Sequence, residues 1–461
     1  MDFQLTDELI DQVQQFIAKA DDTQLKAILG DYHFADIAEI LDELNLEDAT
    51  YLLRLLDSET TSDALMELDE DVREKILDRL SPQEIARELV EMDTDDAADI
   101  IAELDDEVQE QVIDEIKDEE LAADLVELSR YDEKSAGGLM ARELVKVKET
   151  WTIAGCVREM RRQAKNVTRV HSIYVTDKEG HLKGRLSLKD LLTAPDKSHI
   201  SDIYIPKVDY VTVDTDGDDV AKLMQKYDLE AIPVVDEEGI LVGRITIDDV
   251  VDYIKEEAER DYQLAAGISE DVEADDSIFR LTRARLPWLV LGLMGGLAAV
   301  FIMQGFESAL ENYPILFFYT PLIAAMAGNV GVQSSAIIVQ GLANDVVKGS
   351  MFNRLIKELA LSLINGVALA LLVLAFNTAI GQSTSVSLAI AVSLIAVIIM
   401  AAVIGTFVPI LLDKRGIDPA IATGPFITTS NDVVGVLVYF TMADILLQHN
   451  KQQHEPYSSL C

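Results

Sequence analysis

Basic residues are scarce in this chain: 38 Lys and Arg stand against 82 Asp and Glu, for a net charge of −44. Nucleic acid is excluded as a natural partner, because its phosphates would be repelled, and cations are the expected counterpart. Cysteine is nearly missing. Cys156 and Cys461 lie in separate regions with no CxxC spacing, which rules out a disulfide framework or a zinc site and suits a reducing compartment for the soluble part. The six histidines are scattered and no nucleophile–base arrangement stands out, so an enzyme is not expected. No GxxxxGK[ST] loop occurs, which argues against pumping driven directly by ATP. The opening MDFQLTDELIDQ has neither a basic n-region nor an apolar h-region, so no cleaved signal peptide is expected and a first membrane helix would do the targeting.

What is present is sharply segregated. The first 140 residues hold 43 acidic and 10 basic side chains, whereas Pro287–Leu447 holds only eight acidic ones, although hydrophobic residues make up 49% of the whole. Five apolar segments are long enough to span about 30 Å of hydrocarbon at 1.5 Å per residue. They run near Leu286–Phe306, Pro314–Leu342, Leu359–Ile380, Leu388–Leu412 and Ala420–Leu447. Arg280, Arg283 and Arg285 precede the first. Lys348, Arg354 and Lys357 lie between the second and third, and Lys414 and Arg415 between the fourth and fifth. The loops around Glu307–Tyr313 and Gly381–Ser387 have no Lys or Arg, so every basic cluster falls on the side of the soluble half. That side should be cytoplasmic in a multi-pass plasma-membrane protein, with the C-terminus outside.

Two spans interrupt their apolar runs. The second contains Gly328, Asn329, Gly331, Gln333, Ser334 and Ser335, and the fifth contains Thr428, Thr429, Ser430, Asn431 and Asp432. Close helix packing accounts for the glycines. A carboxylate inside a span is costly unless it faces water, an ion or a partner, so Asp432 serves either an ion path or a structural hydrogen bond. No intramembrane Lys or Arg offers a counter-ion, which favours a mobile cation.

In the soluble half, VTDKEGHLKGRLSLKDLL at 175–192 repeats as VVDEEGILVGRITIDDVV at 234–251 with a constant offset. Asp177, Gly180, Gly184, Arg185 and Asp190 match Asp236, Gly239, Gly243, Arg244 and Asp249, in a strand, glycine turn, strand, polar cap, helix pattern. It resembles a tandem pair of cystathionine-β-synthase-type (CBS) domains over 140–258, divided near 203, a regulatory module that senses nucleotides or ions. Ser187-x-x-Asp190 and Thr246-x-x-Asp249 look like that family's ribose-contacting element, although the same residues also cap helices. ATP at the pair is therefore an open expectation. Before it, residues 1–139 read as short capped amphipathic helices in a superhelix, with a capping box at Ser81-Pro82-Gln83-Glu84. Asp95 and Asp99 share one helix face, for which a solvated acidic face is the plain reading. After it, residues 250–275 should form a connecting helix made acidic by Asp249, Asp252, Glu256, Glu257 and Asp261. Oxygen-only clusters of this kind suit hard cations such as Mg²⁺ or Ca²⁺.

The expected fold is thus a multidomain membrane protein: an all-α superhelical domain, an α/β CBS pair, a connecting helix and a five-helix transmembrane domain over 280–450. This order, with AGNVGVQ in the second span, GIDPA at Gly416–Ala420 and SNDVVG in the fifth, resembles the MgtE family of magnesium channels and transporters across essentially the whole chain. The resemblance implies a homodimer in the bilayer, with Mg²⁺ entering between the two membrane domains past Asp432. Gly328, Asn329, Thr428 and Asn431 would lie along that path. It further implies regulatory Mg²⁺ held by Asp95 and Asp99 against Asp249 and Asp252, and by Asp218, Asp228, Glu257, Asp261 and Asp418. Arg260 stands where the family carries an acid, which unsettles one such site. High internal Mg²⁺ would draw the acidic modules together and hold the connecting helix against the pore. The alternatives are a broader divalent transporter for Co²⁺ or Mn²⁺, a coupled exporter, or a membrane-anchored nucleotide or Mg²⁺ sensor without a pore.

Overall fold

A computed structural model describes residues 3–164, 169–195, 198–270, 272, 274, 276–343, 351–422 and 424–454. Lys348 and Cys461 lie outside the described residues. The chain divides into two compact units, Met1–Lys255 and Glu256–Cys461.

The first unit begins with ten short helices. They are α1 (Asp7–Ala18), α2 (Asp22–Leu29), α3 (Phe34–Asp42), α4 (Leu46–Leu55), α5 (Ser58–Met66), α6 (Glu70–Leu77), α7 (Pro82–Leu89), α8 (Thr94–Glu103), α9 (Asp106–Glu115) and α10 (Glu119–Leu128). Polar caps separate them. Asn45 accepts from the N–H groups of Glu47 and Asp48, and Ser81 and Glu84 form the expected reciprocal box ahead of Pro82. Each helix is too short to be stable alone and gains its stability by burying an apolar face against its neighbours. Contacts recur at about one helical pair: α3 packs on α5, α5 on α7, and α7 on α9. Polar links follow the same step, with Arg54 on Glu84 at 2.7 Å, Arg73 on Glu103, and Ser58 on Glu88 at 2.5 Å. Arg54 also holds Glu84 down to about 2. The result is the superhelical stack that the capped pattern implies.

The tandem repeat forms two sheets of identical topology. In the first, β1 (Val145–Lys148) pairs parallel with β2 (Ile173–Thr176), which pairs antiparallel with β3 (Leu182–Leu186). Helices α11 (Ile153–Gln163) and α12 (Leu188–Thr193) belong to this repeat. In the second, β4 (Val211–Thr212), β5 (Ala231–Val235) and β6 (Leu241–Thr246) repeat the arrangement with α13 (Gly217–Tyr227) and α14 (Ile247–Ala266). Even the register shifts coincide, falling at Val175/Thr176 and at Val234/Val235. The expected connecting helix is therefore not separate. It is the last helix of the second repeat prolonged, and it ends at Ala266, because Gly267 adopts φ +82° and closes it well before 275.

The second unit holds α15 (Ile278–Gly305), α16 (Glu307–Asn312), α17 (Ile315–Ala343), α18 (Met351–Ala379), α19 (Thr384–Asp413) and α20 (Pro425–His454). All of these but α16 are long and apolar enough to cross a membrane. Several boundaries differ from the hydropathy reading. Arg280, Arg283 and Arg285 sit inside the first turns of α15, and Arg354 and Lys357 inside α18, because a helix can continue past the hydrocarbon edge, and there Arg280 pairs with Asp276 and Arg283 with Glu270. The segment around Glu307 is a short helix rather than a loop. The fifth span starts at Pro425, after a 3₁₀ turn at Pro419–Ala422. Helix α19 is the central one, packing against α17, α18 and α20.

Candidate ion-binding sites

Small residues set the membrane site. Gly328 on α17 presents a bare Cα to α20. A Cβ built there would lie 3.4 Å from the Thr428 methyl and 3.7 Å from Oδ1 of Asp432. The structure thus brings Gly328, Thr428 and Asp432 together. Asp432 is half-buried and has no hydrogen bond or ion pair among the described residues. One turn further on α17, Gly331 lies against both the Asn431 amide and the backbone of α19 at Gly405, so three helices meet where no side chain would fit. Asn431 fills this junction. It is fully buried, and neither its amide nitrogen nor its amide oxygen has a partner among the described residues. Within one copy it is therefore part of the wall rather than an open lining. Asn329 is on another face of α17, exposed at the surface of the single chain, as is Gln333 one turn away.

A second cluster lies in the first unit, where α8 meets the second repeat. Asp93, Asp95 and Asp96 gather at the N-terminus of α8, where the helix dipole favours negative charge. Thr94 donates from its N–H and its hydroxyl to Glu143, at 3.2 and 2.9 Å, and receives the Arg142 N–H at 2.7 Å. The Arg142–Glu143 segment is in turn laced to β6 through Ala141 and Arg244. Burial pushes the carboxyl of Asp95 well up, reinforced by Asp96, Asp249, Asp93 and Glu143. Asp96 is raised to about 7, first by burial and then by Asp93, Asp249 and Asp99. Glu143 rises by burial, with the Thr94 hydrogen bonds opposing, and Asp252 also rises by burial, with Lys255 opposing.

Five carboxylates, those of Asp93, Asp95, Asp96, Glu143 and Asp249, thus share a poorly solvated site in which full ionisation is expensive. Among the described residues Arg244 is the cation paired inside it, 3.4 Å from Asp93 and also bonded to the Glu143 carbonyl. Excess negative charge on oxygen ligands is the chemistry that suits a hard divalent ion, although among the described residues the acidic group whose ligand atoms already lie within 4.8 Å of one another is Asp177, Glu179 and His181. Of the acids expected to face one another, the structure places Asp95 under the influence of Asp249, while Asp99 is exposed on α8 and Asp252 lies about one turn beyond Asp249 on α14. Asp93, Asp96 and Glu143 do not stand out in the sequence, where each reads as one more acid in an acidic region. Arg244 and Arg185 hold matching repeat positions, yet Arg244 is buried and Arg185 exposed. A buried arginine on one repeat only marks the docking face.

The remaining candidates are dispersed. Asp218 and Asp228 flank opposite ends of α13, too far apart to share an ion within one chain, and Asp218 sits 3.9 Å from Lys222. Glu257 pairs with Arg260 at 2.9 Å, while Asp261 is one turn further along α14. Asp418 caps the 3₁₀ turn, accepting from the Ala420 N–H at 2.7 Å. Asp249 accepts from the N–H and the hydroxyl of Thr246 at 2.8 and 2.7 Å, and Ser187 caps α12. These residues and Asp190 do not line the cleft of about 400 Å³ formed by Leu182, Lys183 and Pro206–Tyr210.

Comparison with known proteins is consistent along the chain. The divalent cation transporter profile of the MgtE family matches residues 320–442, its intracellular N domain profile matches 32–134, and CBS domains match 136–197 and 200–256. The magnesium transporter MgtE of Thermus thermophilus is 38% identical over 323 residues, covering 69% of this chain and 72% of that protein. The Enterococcus faecalis magnesium transporter MgtE is 34% identical over 320 residues, covering 69% and 70%. The crystal structure of the cytosolic domain of the Mg²⁺ channel MgtE in complex with ATP aligns with a TM-score of 0.50 at 36% identity, over 53% of this chain and 99% of that one. The matched family models follow one another along the chain, and with relatives of this identity and coverage the chain belongs to the MgtE family of magnesium transporters.

Proposed function

We propose that this protein admits Mg²⁺ down its electrochemical gradient, working as a homodimer in the plasma membrane with its soluble half in the cytosol and its C-terminus outside. The observation that carries this reading is Asp432: a carboxylate in the fifth span, against Gly328, with no counter-ion among the described residues. Asn329 and Gln333 support the second copy. Exposed amides on a spanning helix need a partner surface or a water-filled path rather than lipid. The membrane potential suffices as driving force, at about 2.3 kcal/mol per charge per 100 mV and twice that for a divalent ion.

Intracellular Mg²⁺ closes the path by neutralising the carboxylates where α8 meets the second repeat, with Asp252 and the acids of α14 completing the response. Asp218, Asp228, Glu257, Asp261 and Asp418 serve as further regulatory ligands, in sites completed by other parts of the dimer. The aligned cytosolic domain was crystallised in complex with ATP, which supports ATP as a ligand of the CBS pair in this chain. The matching family model is described as a divalent cation transporter, and a broader divalent range that takes in Co²⁺ or Mn²⁺ is the alternative reading. Patch recording of the purified protein in liposomes tests the assignment. With Mg²⁺ as the only permeant cation, current is expected that falls as Mg²⁺ rises on the soluble side. No current under these conditions overturns conduction, and equal current with Co²⁺ or Mn²⁺ establishes the broader substrate range.

A further inference from the structure

Between α14 and α15 the sequence GISEDVEADDS has the small and acidic composition of a slack tether. Residues 267–270 and 272, which the structure describes, are held at several points. Gln263, one turn before the end of α14, donates from Nε2 to the Val272 carbonyl at 3.1 Å and accepts the Val272 N–H at 3.3 Å. The helix closes in a left-handed turn at Gly267, with the Gly267 N–H on Leu264 and the Ile268 N–H on Gln263. Ser269 donates both its N–H and its hydroxyl to the Ala284 carbonyl of α15, at 3.1 and 2.9 Å. Glu270 and Arg283 pair at 2.9 Å. On its other side the elbow meets the start of α20: a Cβ at Gly424 would overlap the Ala265 carbonyl oxygen, and one at Gly267 would overlap the Pro425 ring.

We infer that this elbow is a rigid joint and that Gln263 and Gly424 are positioning residues of the gate. Pro425 begins the helix that carries Asp432, seven residues or about 10 Å further on. A joint fixed to both the first and the fifth spans passes displacement of α14 on to the Thr428–Asp432 stretch, where a slack tether would absorb it. The inference rests on the gating reading above and adds the parts that transmit it.

The test uses the full-length protein in liposomes, with two readouts on the same Mg²⁺ titration. One is the midpoint for inhibition of the current, and the other is the midpoint for protection of the soluble half from protease. Gly424→Ala is expected to force the elbow off α20. Gln263→Ala removes the clasp without adding bulk, and it decides the matter if Gly424→Ala does not fold. Each variant should conduct in low Mg²⁺ and need at least about tenfold more Mg²⁺ for inhibition, while its protection midpoint stays at the wild-type value. An unchanged inhibition midpoint in Gln263→Ala overturns the joint and restores the slack tether. Inhibition and protection midpoints moving together would place these residues in the sensor and also overturn it. A wild-type current insensitive to Mg²⁺ would overturn the gating reading itself, and this inference with it.

Discussion

Asp432 and Asn431 are adjacent in sequence and face different surroundings. The carboxylate meets the bare Cα of Gly328, while the amide is sealed at the Gly331–Gly405 crossing. Asp432→Ala is expected to abolish Mg²⁺ flux with insertion and assembly intact. Asp432→Asn should impair flux severely, since it keeps the shape and loses the charge. Wild-type flux in the alanine variant, measured in liposomes, would remove Asp432 from the path. Asp432 is visible in the sequence because one charge in an apolar run stands out. The burial of Asn431 is not, because it depends on three helices crossing at glycines far apart in the chain. Asp93, Asp96 and Glu143 are hidden for the opposite reason, among 43 acids in the first 140 residues and the acids that follow. Cys156 gives a separate residue-level expectation. It is fully buried, and burial pushes its thiol to about 11. Since the thiolate is the reactive form, native Cys156 should resist a thiol reagent at pH 8 and react only as pH approaches 11 or on unfolding. Rapid labelling of the folded protein at pH 8 would contradict that burial.

Helix α8 and the start of α14 carry acids of the proposed sensor. Without divalent ions the carboxylates repel one another, and Arg244 offsets only part of that charge. A bridging Mg²⁺ gains more than monovalent screening can, so Mg²⁺ should compact the soluble half where matched K⁺ does not. Asp249→Ala with Asp252→Ala is expected to leave the protein conductive at Mg²⁺ concentrations that shut the wild type, with weaker protease protection. Asp249 also accepts from Thr246 at the start of α14, so Asp249→Asn, which keeps an acceptor oxygen there, separates loss of charge from loss of the cap. Equal inhibition of wild type and double variant across the titration would reduce these acids to a solvated face. The existence of the elements is legible from caps and repeats, as at Ser81–Glu84 and the two Gly-turn hairpins. Their ends are less so. The acidic run past Ala266 reads as a helix continuing to 275, and only the φ of Gly267 reveals the stop.

At the scale of the whole molecule, charge asymmetry predicts orientation. In a Cys461→Ser background, a cysteine replacing Ser385, which is exposed at the start of α19, should react with a membrane-impermeant thiol reagent outside intact cells. A cysteine replacing Lys414, exposed beyond the other end of that helix, should not. The reverse pattern would invert the topology. The five spans are legible from hydropathy alone. Their packing around α19 is not, because an apolar helix shows the same composition to lipid and to its neighbours.

The outward amides of Asn329 and Gln333 have a consequence for how this molecule must be handled. Each would cost several kcal/mol if turned to hydrocarbon without a partner. Under the proposed homodimer a lone copy is an incomplete object in a bilayer, and its folding equilibrium includes a mass-action term in its own concentration. The protein-to-lipid ratio then becomes a variable of state. Dilution into excess lipid works like a denaturant, and crowding in the membrane plane works like a ligand.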